Sequence, residues 1–587
     1  MFERKSYIVS QQFVKFFMPT VLMTMALSMS VVIDGMIVGN ILGPDALAAV
    51  NLVLPVTLIF NSLYVLFGVG GSTLYSVAQG RREKDLARRL YTVSVGTMLA
   101  AAAMVCLAGL FVSRKIAELL TANAPNLTQM VSDYLHVVML AAPLLILVPG
   151  LVYFIRSSGK VQIASTVLIT ANVVNLLLDL VYIGILKIGI RGAALATGSG
   201  YFVGLLIALY GIYRSKELRP ALVPAREIPG VLQEIASTGL PSTINTVLNF
   251  FRLTCINMIV MIYLGSDGVT AFSVCTSCLS IVSMFVGGSA QTMGPLLGTL
   301  YGERDANGVR FTVKKAVTIT GISTLLLLAV FEMFPAQITR MFGVSDAGQI
   351  AIATEALRIY AWSLPVMGIL FVAMCVYPVL GFRKLSSMIA LLEGFLIVVP
   401  LAWLLARIFG PAGIWAAFPL GEICTLFFMF AITGKLRKKQ PQLHGIFLLA
   451  KVPKQKVLDV TMIQEVSQAT GLSAEVIRFC RENQVPEITA NKVGVALEEM
   501  AVNTIEQTGR KRKNSYIDVR VMVEEDAVCI SIRDNGPPYH PFHRERVQEE
   551  FDNISMVLAI ADEAHYDNIL GMNSSTIKLL KKEEKDL

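Results

Sequence analysis

Long apolar stretches separated by short polar loops occupy the first 434 residues of the chain. A helix needs roughly 20 mostly apolar residues to cross the hydrocarbon core of a bilayer, and about twelve stretches reach that length. They lie near 13–39, 47–78, 91–112, 133–155, 163–186, 191–213, 236–264, 269–298, 312–334, 351–381, 385–409 and 411–434. The pattern therefore predicts an all-α polytopic membrane protein with twelve transmembrane helices.

The pattern changes near the end of the chain, where polar residues become frequent. Helical periodicity covers Val460–Gln484, Thr489–Thr508 and Ser555–Glu563, whereas strand-like alternation covers Ile517–Val523, Ala527–Arg533 and Thr576–Lys581. This order of elements predicts a small C-terminal α/β sandwich domain. The two parts differ enough in composition to be separate domains.

An internal repeat organises the apolar part. Proline and glycine residues recur at an offset of 222 positions, as in the pairs Pro19 and Pro241, Gly43 and Gly265, Gly80 and Gly302, Pro143 and Pro365, and Gly159 and Gly381. Each half holds an even number of predicted spans, so the halves run parallel, as is common in transporters. The sequence predicts an N-lobe at 1–213, a linker at 214–230, a C-lobe at 231–434, a basic linker at 435–454 and the C-terminal domain at 455–587.

Lysine and arginine are concentrated in alternate loops. Five basic residues lie between Gly80 and Arg89, and further basic clusters follow predicted spans 6, 8 and 12. Because such loops stay on the cytoplasmic side, both termini of this multi-pass inner-membrane protein are expected in the cytoplasm. The same bias accounts for the net charge of +8, so the lipid bilayer is an expected partner and nucleic acid is not.

Two carboxylates stand out in the spans of the first half, because a charge at the bilayer centre needs a compensating function. Asp34 lies in span 1 and Asp179 in span 5. Asn175 lies four residues before Asp179, on the same helix face. Such a set can bind Na⁺ or carry a proton. The structural alternative is that one aspartate lies at a water interface or caps a helix.

The second half carries a different set of ionisable residues in its spans. They are Arg252, Glu332, Glu393 and Glu422, and none of them aligns with Asp34 or Asp179 at the repeat offset. One hypothesis is that Arg252 pairs with Glu393, so that both charges are neutralised in a C-lobe polar site. Glu332 lies near a span end and is expected to be solvated.

Two motifs resemble the multidrug and toxic compound extrusion (MATE) family of antiporters. One is Val32-Ile-Asp34-Gly-Met-Ile-Val-Gly39-Asn-Ile-Leu-Gly43, and the other joins Asn175-Leu-Leu-Leu-Asp179 to Gly189-Ile-Arg-Gly-Ala-Ala-Leu-Ala-Thr197. The resemblance covers roughly 8–434. It implies export of drugs, toxic organic cations or metabolites driven by H⁺ or Na⁺, with a cationic amphiphilic small molecule as the expected substrate.

The same resemblance implies a cation site in the N-lobe. Its carboxylates would be Asp34 and Asp179. Asn175 would supply an amide oxygen, Thr197 a hydroxyl and Ala193 a main-chain carbonyl. No other metal or cofactor is expected in the membrane part.

The C-terminal domain resembles the ATP-binding fold of histidine kinases and anti-sigma-factor kinases. The motifs are Ala496-Leu-Glu-Glu499-Met-Ala-Val-Asn503 and Asp534-Asn-Gly536. In that family, the glutamate at the position of Glu499 assists the attacking nucleophile, and the asparagine at the position of Asn503 holds Mg²⁺. The aspartate at the position of Asp534 reads the adenine amino group and the glycine at the position of Gly536 lets the backbone come close, so ATP with Mg²⁺ is an implied ligand.

This domain departs from the kinase pattern in two places. Gln507 replaces the usual histidine, and the glycine-rich lid expected near 550–557 is missing from the sequence. A degenerate domain that regulates transport or binds a cytoplasmic regulatory protein is the alternative to a nucleotide-binding one. Weak phosphoryl transfer or ATPase activity stays open.

The leading functional prediction is a cation-coupled antiporter, not an enzyme, with a cytoplasmic regulatory domain. The alternatives are a flippase-type exporter of lipid-linked sugars or polysaccharides and a membrane sensor kinase. ATP-driven transport is disfavoured, because the sequence lacks a G-x-x-x-x-G-K-[ST] phosphate loop.

Overall fold

A computed structural model gives the fold of the chain, and it describes 3–121, 125–215, 217–450, 456–508, 515–542 and 553–581. These residues form two compact units. The larger unit, here called the membrane unit, is Lys15–Arg304 with Val313–Leu449. The smaller, here called the sheet unit, is Met1–Val14, Asp305–Thr312 and Ala450–Leu587.

The first half of the membrane part is entirely helical. Its helices are α1 Tyr7–Leu42, α2 Pro44–Leu52, α3 Leu54–Tyr64, α4 Gly70–Gly80, α5 Lys84–Leu120, α6 Thr128–Leu140, α7 Ala142–Ser157, α8 Val161–Asp179 and α9 Ile190–Tyr213. A 3₁₀ turn, Pro125–Leu127, precedes α6, and π turns follow α3 at Val65–Val69 and α8 at Leu180–Ile185.

The second half is helical in the same way. Its helices are α10 Ile228–Gly302, α11 Ala306–Met333, α12 Pro335–Met341, α13 Ala347–Ala361, α14 Leu364–Val379, α15 Arg383–Leu391, α16 Val398–Phe409 and α17 Pro411–Lys439. A π turn at Leu392–Leu396 joins the last turns of α15 to α16. The first residues of α1 and α11 belong to the sheet unit.

The described helices account for the twelve predicted spans. Nine continuous helical segments of the described residues are long and apolar enough to cross a bilayer. Two further spans are helix pairs bent by 50° and 47°. The 75-residue helix α10 supplies two spans, because Gly265 breaks it with a φ of 62°. The prediction of a twelve-helix membrane fold is therefore confirmed.

The backbone repeats itself at the offset that the sequence predicts. The bent pairs, Pro125–Leu140 with Ala142–Ser157 and Ala347–Ala361 with Leu364–Val379, occupy equivalent places in the two halves. Gly159 and Gly381 have φ values of 85° and 87° at equivalent loops. Only glycine adopts this left-handed region without strain, so the glycine matches in the sequence mark equivalent turns of two like lobes.

The two lobes meet where α4 packs against α10. A Cβ on Gly302 would lie against the main-chain oxygen of Val77 and 2.9 Å from the Cα of Gly80. Gly80 and Gly302 are equivalent residues of the repeat, so the helices cross at the axis that relates the lobes. The contact is backbone on backbone, which requires residues without a Cβ.

The C-terminal domain is a two-layer α/β sandwich, as predicted. Its elements are β3 Val457–Ile463, α18 Val466–Glu482, α19 Glu487–Thr508, β4 Tyr516–Val523, β5 Ala527–Asp534, α20 Asn553–Ile560, β6 Glu563–Ile569 and β7 Met572–Leu580. The antiparallel strands lie in the order β3-β4-β5-β7-β6. Val460 pairs with Val519 and Val519 with Ile532, which lines up one apolar face for α18 and α19.

Three predictions of local structure were wrong in this domain. The segment from Val460 does not begin a helix, because Val457–Ile463 is the edge strand β3 and α18 begins at Val466. The segment around Glu563 is not helical but begins β6, and the last strand begins at Met572 rather than Thr576. Short apolar runs do not distinguish strand from helix, and β6 is an edge strand with polar residues.

The chain directly after the last predicted span also holds ordered structure. Helix α17 continues to Lys439, and a two-stranded hairpin follows, with β1 Leu443–His444 and β2 Leu449–Ala450. Residues 451–455 of the predicted linker and 550–552 of the predicted lid lie outside the described residues. The remainder of the lid region belongs to α20.

Candidate functional site

The two predicted carboxylates of the N-lobe lie side by side. Asp179 is the last residue of α8 and is fully buried, whereas Asp34 on α1 is half-buried. Their carboxyl groups lie within electrostatic reach of each other. Two carboxylates at short range repel, so a bound proton or cation stabilises the pair.

The other predicted residues surround this pair. The amide nitrogen of Asn175 donates to Oδ2 of Asp179 at 3.2 Å and to the hydroxyl of Thr197 at 3.3 Å. The Thr197 hydroxyl donates to the main-chain oxygen of Ala193 at 3.1 Å. The structure therefore brings all five predicted residues into one cluster between α1, α8 and α9.

Two features of this cluster are absent from the sequence prediction. A π turn begins directly after Asp179, and π turns interrupt α-helices mostly at functional sites. Tyr134 on α6 lies within electrostatic reach of both Asp34 and Asp179. One tyrosine in an apolar helix carries no sign of what it faces, so only the packing of α6 reveals it.

The site has an excess of negative charge. Oδ1 of Asp34 and Oδ1 of Asp179 are buried without a hydrogen-bond partner, and no ion pair to either carboxylate occurs among the described residues. An ionised carboxylate in such surroundings is costly unless a cation or a proton compensates it. With carboxylate, amide, hydroxyl and main-chain oxygens together, the cluster has the chemistry to hold one H⁺ or one Na⁺.

The predicted C-lobe residues also come together, but in a different way from the hypothesis. Nη1 of Arg252 donates to the main-chain oxygen of Glu393 at 3.1 Å, and Nη2 donates to Oδ1 of Asn249 at 2.7 Å. The contact between Arg252 and Glu393 therefore runs through the backbone and not through the carboxylate. Glu422, which sequence reasoning left without a role, is buried in the same lobe.

Glu332 lies apart from this group. Its carboxylate is about one-third exposed (33%) and accepts a hydrogen bond from the Trp362 indole at 2.8 Å. Arg358 lies 3.8 Å away on the neighbouring helix. Such a partly solvated surface pair needs no functional explanation.

In the sheet unit, Asp534 ends strand β5 at the position predicted to read adenine. Its Oδ1 accepts hydrogen bonds from the Gly536 amide at 2.7 Å and from Nδ2 of Asn573 at 2.9 Å. No described residue donates to Oδ2. Burial raises the pKa of the Asp534 carboxyl to about 6, although both hydrogen bonds oppose that shift. The arrangement holds one oxygen in place and leaves the other to accept from a ligand.

Glu499 and Asn503, which the sequence predicts near Mg²⁺, lie on α19, and a tyrosine connects that helix to the Asp534 loop. The Tyr539 hydroxyl donates to Oγ1 of Thr504 at 2.8 Å, directly next to Asn503. Glu499 lies one turn earlier, and desolvation raises the pKa of its carboxyl. Sequence reasoning missed Tyr539 and Asn573, because their roles depend on contacts between distant strands and helices.

A buried ion cluster joins three segments of the sheet unit. Arg4 lies among Asp305, Asp459 and Asp518, and Arg533 also contacts Asp305; all five side chains are at most 8% exposed. The nitrogen–oxygen distances are 2.7 Å from Arg4 to Asp518, 3.3 Å to Asp305 and 3.5 Å to Asp459, and 2.9 Å from Arg533 to Asp305. The N-terminal segment, the start of α11 and the C-terminal domain thus contribute to one buried polar cluster.

Helix α1 begins next to the Asp534 loop. Asn535, the neighbour of Asp534, donates through Nδ2 to Oε1 of Gln11 at 2.6 Å. The side chain of Gln12 donates to the main-chain oxygen of Leu570 in the turn between β6 and β7. The first turns of α1 therefore lie against the two loops that flank the Asp534 position.

Comparison with known proteins agrees with the assignment of both the membrane part and the C-terminal domain. The MatE family matches twice, at residues 19–181 and 241–404, in keeping with the repeat. The histidine kinase-like ATPase domain matches 464–568. The multidrug export protein MepA of Staphylococcus saprophyticus is 26% identical over 388 residues, which are 66% of this chain and 85% of that protein. MepA of Staphylococcus haemolyticus is 24% identical over the same shares.

Solved structures share the fold of the membrane part. A MATE transporter from Vibrio cholerae has a TM-score of 0.68 at 19% identity, with 75% of this chain and 98% of that chain covered. A transporter of the MOP superfamily from Pyrococcus furiosus has a TM-score of 0.67 at 21% identity, with 74% and 96% covered. The chain therefore belongs to the MatE family of multidrug efflux transporters, and it carries a histidine kinase-like ATPase domain after its membrane part.

Proposed function

We propose that this protein is an antiporter that exports drugs, organic cations or metabolites in exchange for H⁺ or Na⁺. The inner membrane would be its location, with both termini in the cytoplasm. The observation that carries the proposal is the pair of Asp34 and Asp179, whose buried Oδ1 atoms have no hydrogen-bond partner among the described residues. The multidrug export function of the MepA proteins supports the substrate class.

The coupling would follow from the electrostatics of that pair. An uncompensated carboxylate favours the arrangement of helices that gives it water or a cation, and a bound cation favours the arrangement that buries it. α1 carries Asp34 while α8 and α9 carry the rest, so ion binding acts on the position of α1 relative to its neighbours. A ligand shifts such an equilibrium only by its difference in affinity for the two states.

The test is dye efflux from proteoliposomes under an imposed H⁺ or Na⁺ gradient. We expect efflux of a cationic dye with one gradient and none in Asp34→Asn or Asp179→Asn. Glu118→Gln is the matched control, because this carboxylate on α5 is 56% exposed and pairs with Arg114 one turn away. Efflux that continues unchanged in Asp34→Asn would refute the coupling role. If folded wild-type protein moves no dye under either gradient, a lipid-linked sugar becomes the substrate to test.

We further propose that the ATPase-like domain regulates transport through α1. Asp534 would accept a hydrogen bond from the adenine amino group, and Asn503 would hold Mg²⁺ beside the phosphates. The supporting contact is the hydrogen bond from Asn535 to Gln11, since α1 continues from Gln11 to Asp34. A nucleotide that moves the Asp534 loop would change this contact at the start of the helix that carries the coupling carboxylate.

Efflux measured with a non-hydrolysable ATP analogue on the side of the C-terminal domain tests this regulation. The analogue is expected to change the efflux rate of wild type and to leave Asp534→Asn unaffected. Gln11→Ala should still bind the analogue while losing its effect on efflux. Glu525→Gln, an exposed carboxylate in the β4–β5 turn, is the control for lost charge. Analogue binding without any change in efflux would show that the domain serves another purpose.

A further inference from the structure

Three ionisable side chains are buried together in the second lobe. Arg252 lies on the first half of α10, Glu393 in the π turn Leu392–Leu396, and Glu422 in the middle of α17. They are 6%, 5% and 2% exposed, respectively. None of them is part of the N-lobe pair, and the repeat does not relate the two groups.

The hydrogen bonds of this group leave the carboxylates poorly compensated. Both terminal nitrogens of Arg252 are used, by the main-chain oxygen of Glu393 and by Asn249. Oε2 of Glu393 and Oε2 of Glu422 are buried without a partner. Among the described residues, no salt bridge within 4 Å reaches either carboxylate.

Besides Arg252, Glu393 and Glu422 themselves, the ionisable groups near this site are neutral. Glu422 interacts electrostatically with Glu393 and Arg252, and the Tyr360 hydroxyl on α13 lies within reach of Glu422. Cys375 on α14 lies within reach of Glu393. Tyrosine and cysteine are uncharged near neutral pH, so they contribute no positive charge. Arg252 is therefore the one cation of this group within the described residues.

The number of charges in the group then determines which carboxyl groups are protonated. One guanidinium cancels one carboxylate, and the second carboxylate is left with a full charge, buried and with an oxygen that has no hydrogen-bond partner among the described residues. Burying a lone ionised carboxylate costs so much that the group takes up a proton instead. We propose that Arg252, Glu393 and Glu422 form a second proton-binding site, in which Glu422 carries the proton and Glu393 stays ionised beside Arg252.

A proton fits this site better than a metal cation. Na⁺ and similar hard cations need several oxygen ligands, but the amide oxygen of Asn249 is already occupied by Arg252, and the Tyr360 hydroxyl is the one neutral side-chain oxygen described above beside the two carboxylates. The guanidinium also repels a second cation at short range. A proton removes the excess charge without any further ligand, because it is held on the carboxyl group itself.

Both lobes would then hold an ionisable carboxyl group at a helix irregularity. Asp179 directly precedes one π turn and Glu393 lies inside another. The wider π turn displaces main-chain groups from the regular hydrogen-bond ladder. In the second lobe this leaves the Glu393 main-chain oxygen to accept from Arg252, which places the guanidinium beside the carboxylates.

Infrared spectroscopy of the purified full-length protein tests the site without any transport assay. A protonated carboxyl group has a C=O stretching band that a carboxylate lacks. We expect the wild-type band to lose one component in Glu422→Gln, a variant that mimics the protonated form and so preserves packing. Glu332→Gln is the matched control, since that partly exposed carboxylate lies apart from this group and contacts Trp362 and Arg358.

Two further variants test the charge count itself. In Glu393→Gln, Arg252 becomes available to Glu422, so Glu422 should ionise and its band should disappear although the residue is still present. In Arg252→Met, both glutamates should be protonated and the band should gain a component. An unchanged band in Glu422→Gln, or a band that Na⁺ removes at constant pH, would overturn the proposal. These readouts do not depend on efflux, so they remain decisive if the antiport proposal fails.

Discussion

Asn175 and Asn172 lie on the same helix but differ in what they contact. The Asn175 amide bridges Asp179 and Thr197, whereas the Asn172 amide donates to the Leu168 carbonyl of its own helix at 2.7 Å. One residue therefore belongs to the candidate cation site and the other only to α8. The two side chains are chemically identical, so a comparison of their substitutions tests the effect of position alone.

We expect Asn175→Ala to change the apparent affinity for the coupling ion and Asn172→Ala to leave that affinity unchanged. A hydrogen bond to a charged group contributes about 1.5–3 kcal/mol, which corresponds to roughly a tenfold to hundredfold change. The affinity should fall if the ion is Na⁺, which loses an amide ligand, and rise if it is H⁺, because the amide stabilises the ionised Asp179 carboxylate. The measurement is the ion concentration that gives half-maximal efflux in proteoliposomes. Equal effects of the two substitutions would mean that Asn175 acts through helix stability alone.

Asp534 should make nucleotide binding sensitive to pH. Burial raises the pKa of its carboxyl to about 6, and the ionised form is a much stronger acceptor at Oδ2 for the adenine amino group than the protonated form. Binding of a fluorescent ATP analogue to the full chain is therefore expected to be constant above pH 7 and to fall as the pH drops through 6.

The control for this prediction is Asp534→Asn, measured over the same pH range. This variant should bind weakly at every pH, because it replaces one acceptor oxygen with an amide donor. The pH dependence of binding that remains in this variant reports the titration of the nucleotide and of other groups. Wild-type binding that is equally strong at pH 5 and pH 8 would contradict a direct contact between Asp534 and adenine.

At the scale of elements, the crossing of α4 and α10 depends on glycine. Gly80 and Gly302 lie backbone to backbone at equivalent positions of the repeat, and Gly298 packs against Ser76 one turn away. Gly294 lies further along α10 and meets nothing within 4 Å of an added Cβ. The same helix thus contains glycines that the packing requires and one that it does not.

Gly302→Ala is expected to destabilise the membrane unit, whereas Gly294→Ala is not. The new methyl group would force the helices apart, and such overpacking costs about 1–3 kcal/mol. At Gly294 the alanine should be neutral or favourable, since it stabilises a helix by about 1 kcal/mol relative to glycine. Thermal unfolding of the purified protein measures both, and equal unfolding temperatures would show that the contact tolerates a side chain.

At the scale of the whole molecule, the sheet unit is assembled from three distant parts of the chain. Thr461 on the edge strand β3 donates its amide to the Glu3 carbonyl at 3.2 Å and accepts at Oγ1 from the Lys5 amide at 2.8 Å. Tyr7 stacks on Tyr516 with ring centroids 4.2 Å apart. The N-terminal segment therefore covers an edge of the sheet that would otherwise be open.

Arg4→Met should detach this segment. It would leave three carboxylates without their shared cation, and breaking a buried ion pair from one side costs about 3–5 kcal/mol. Hydrogen exchange of the Thr461 and Lys5 amides in the full chain is expected to rise by about a hundredfold or more. Arg478→Met is the matched control, since Arg478 is 66% exposed and its pairs are weak. Unchanged exchange at both amides would mean that the ion cluster does not hold the segment.

Much of the fold could be predicted from local features of the chain. The number of spans follows from apolar length, and the repeat follows from glycines such as Gly159 and Gly381, whose positive φ makes other residues unfavourable. Asp34 and Asp179 are conspicuous because charges are rare in spans. Ala193 and Thr197 required the resemblance to a known family, because an alanine and a threonine in a helix carry no sign of function.

The membrane class, the two-lobe repeat, the sandwich domain and the principal carboxylates can all be inferred from the amino-acid sequence, since each depends on residues close together in the chain or on one unusual residue type. The packing of distant segments is what brings Tyr134 within electrostatic reach of Asp34 and Asp179, buries Oε2 of Glu422 without a partner among the described residues and places Arg4 among three aspartates. Arg4 and Asp305 are 301 positions apart, and no periodicity or spacing connects them. The physical reason is that the charge state of a buried group depends on which distant side chains the packing places around it.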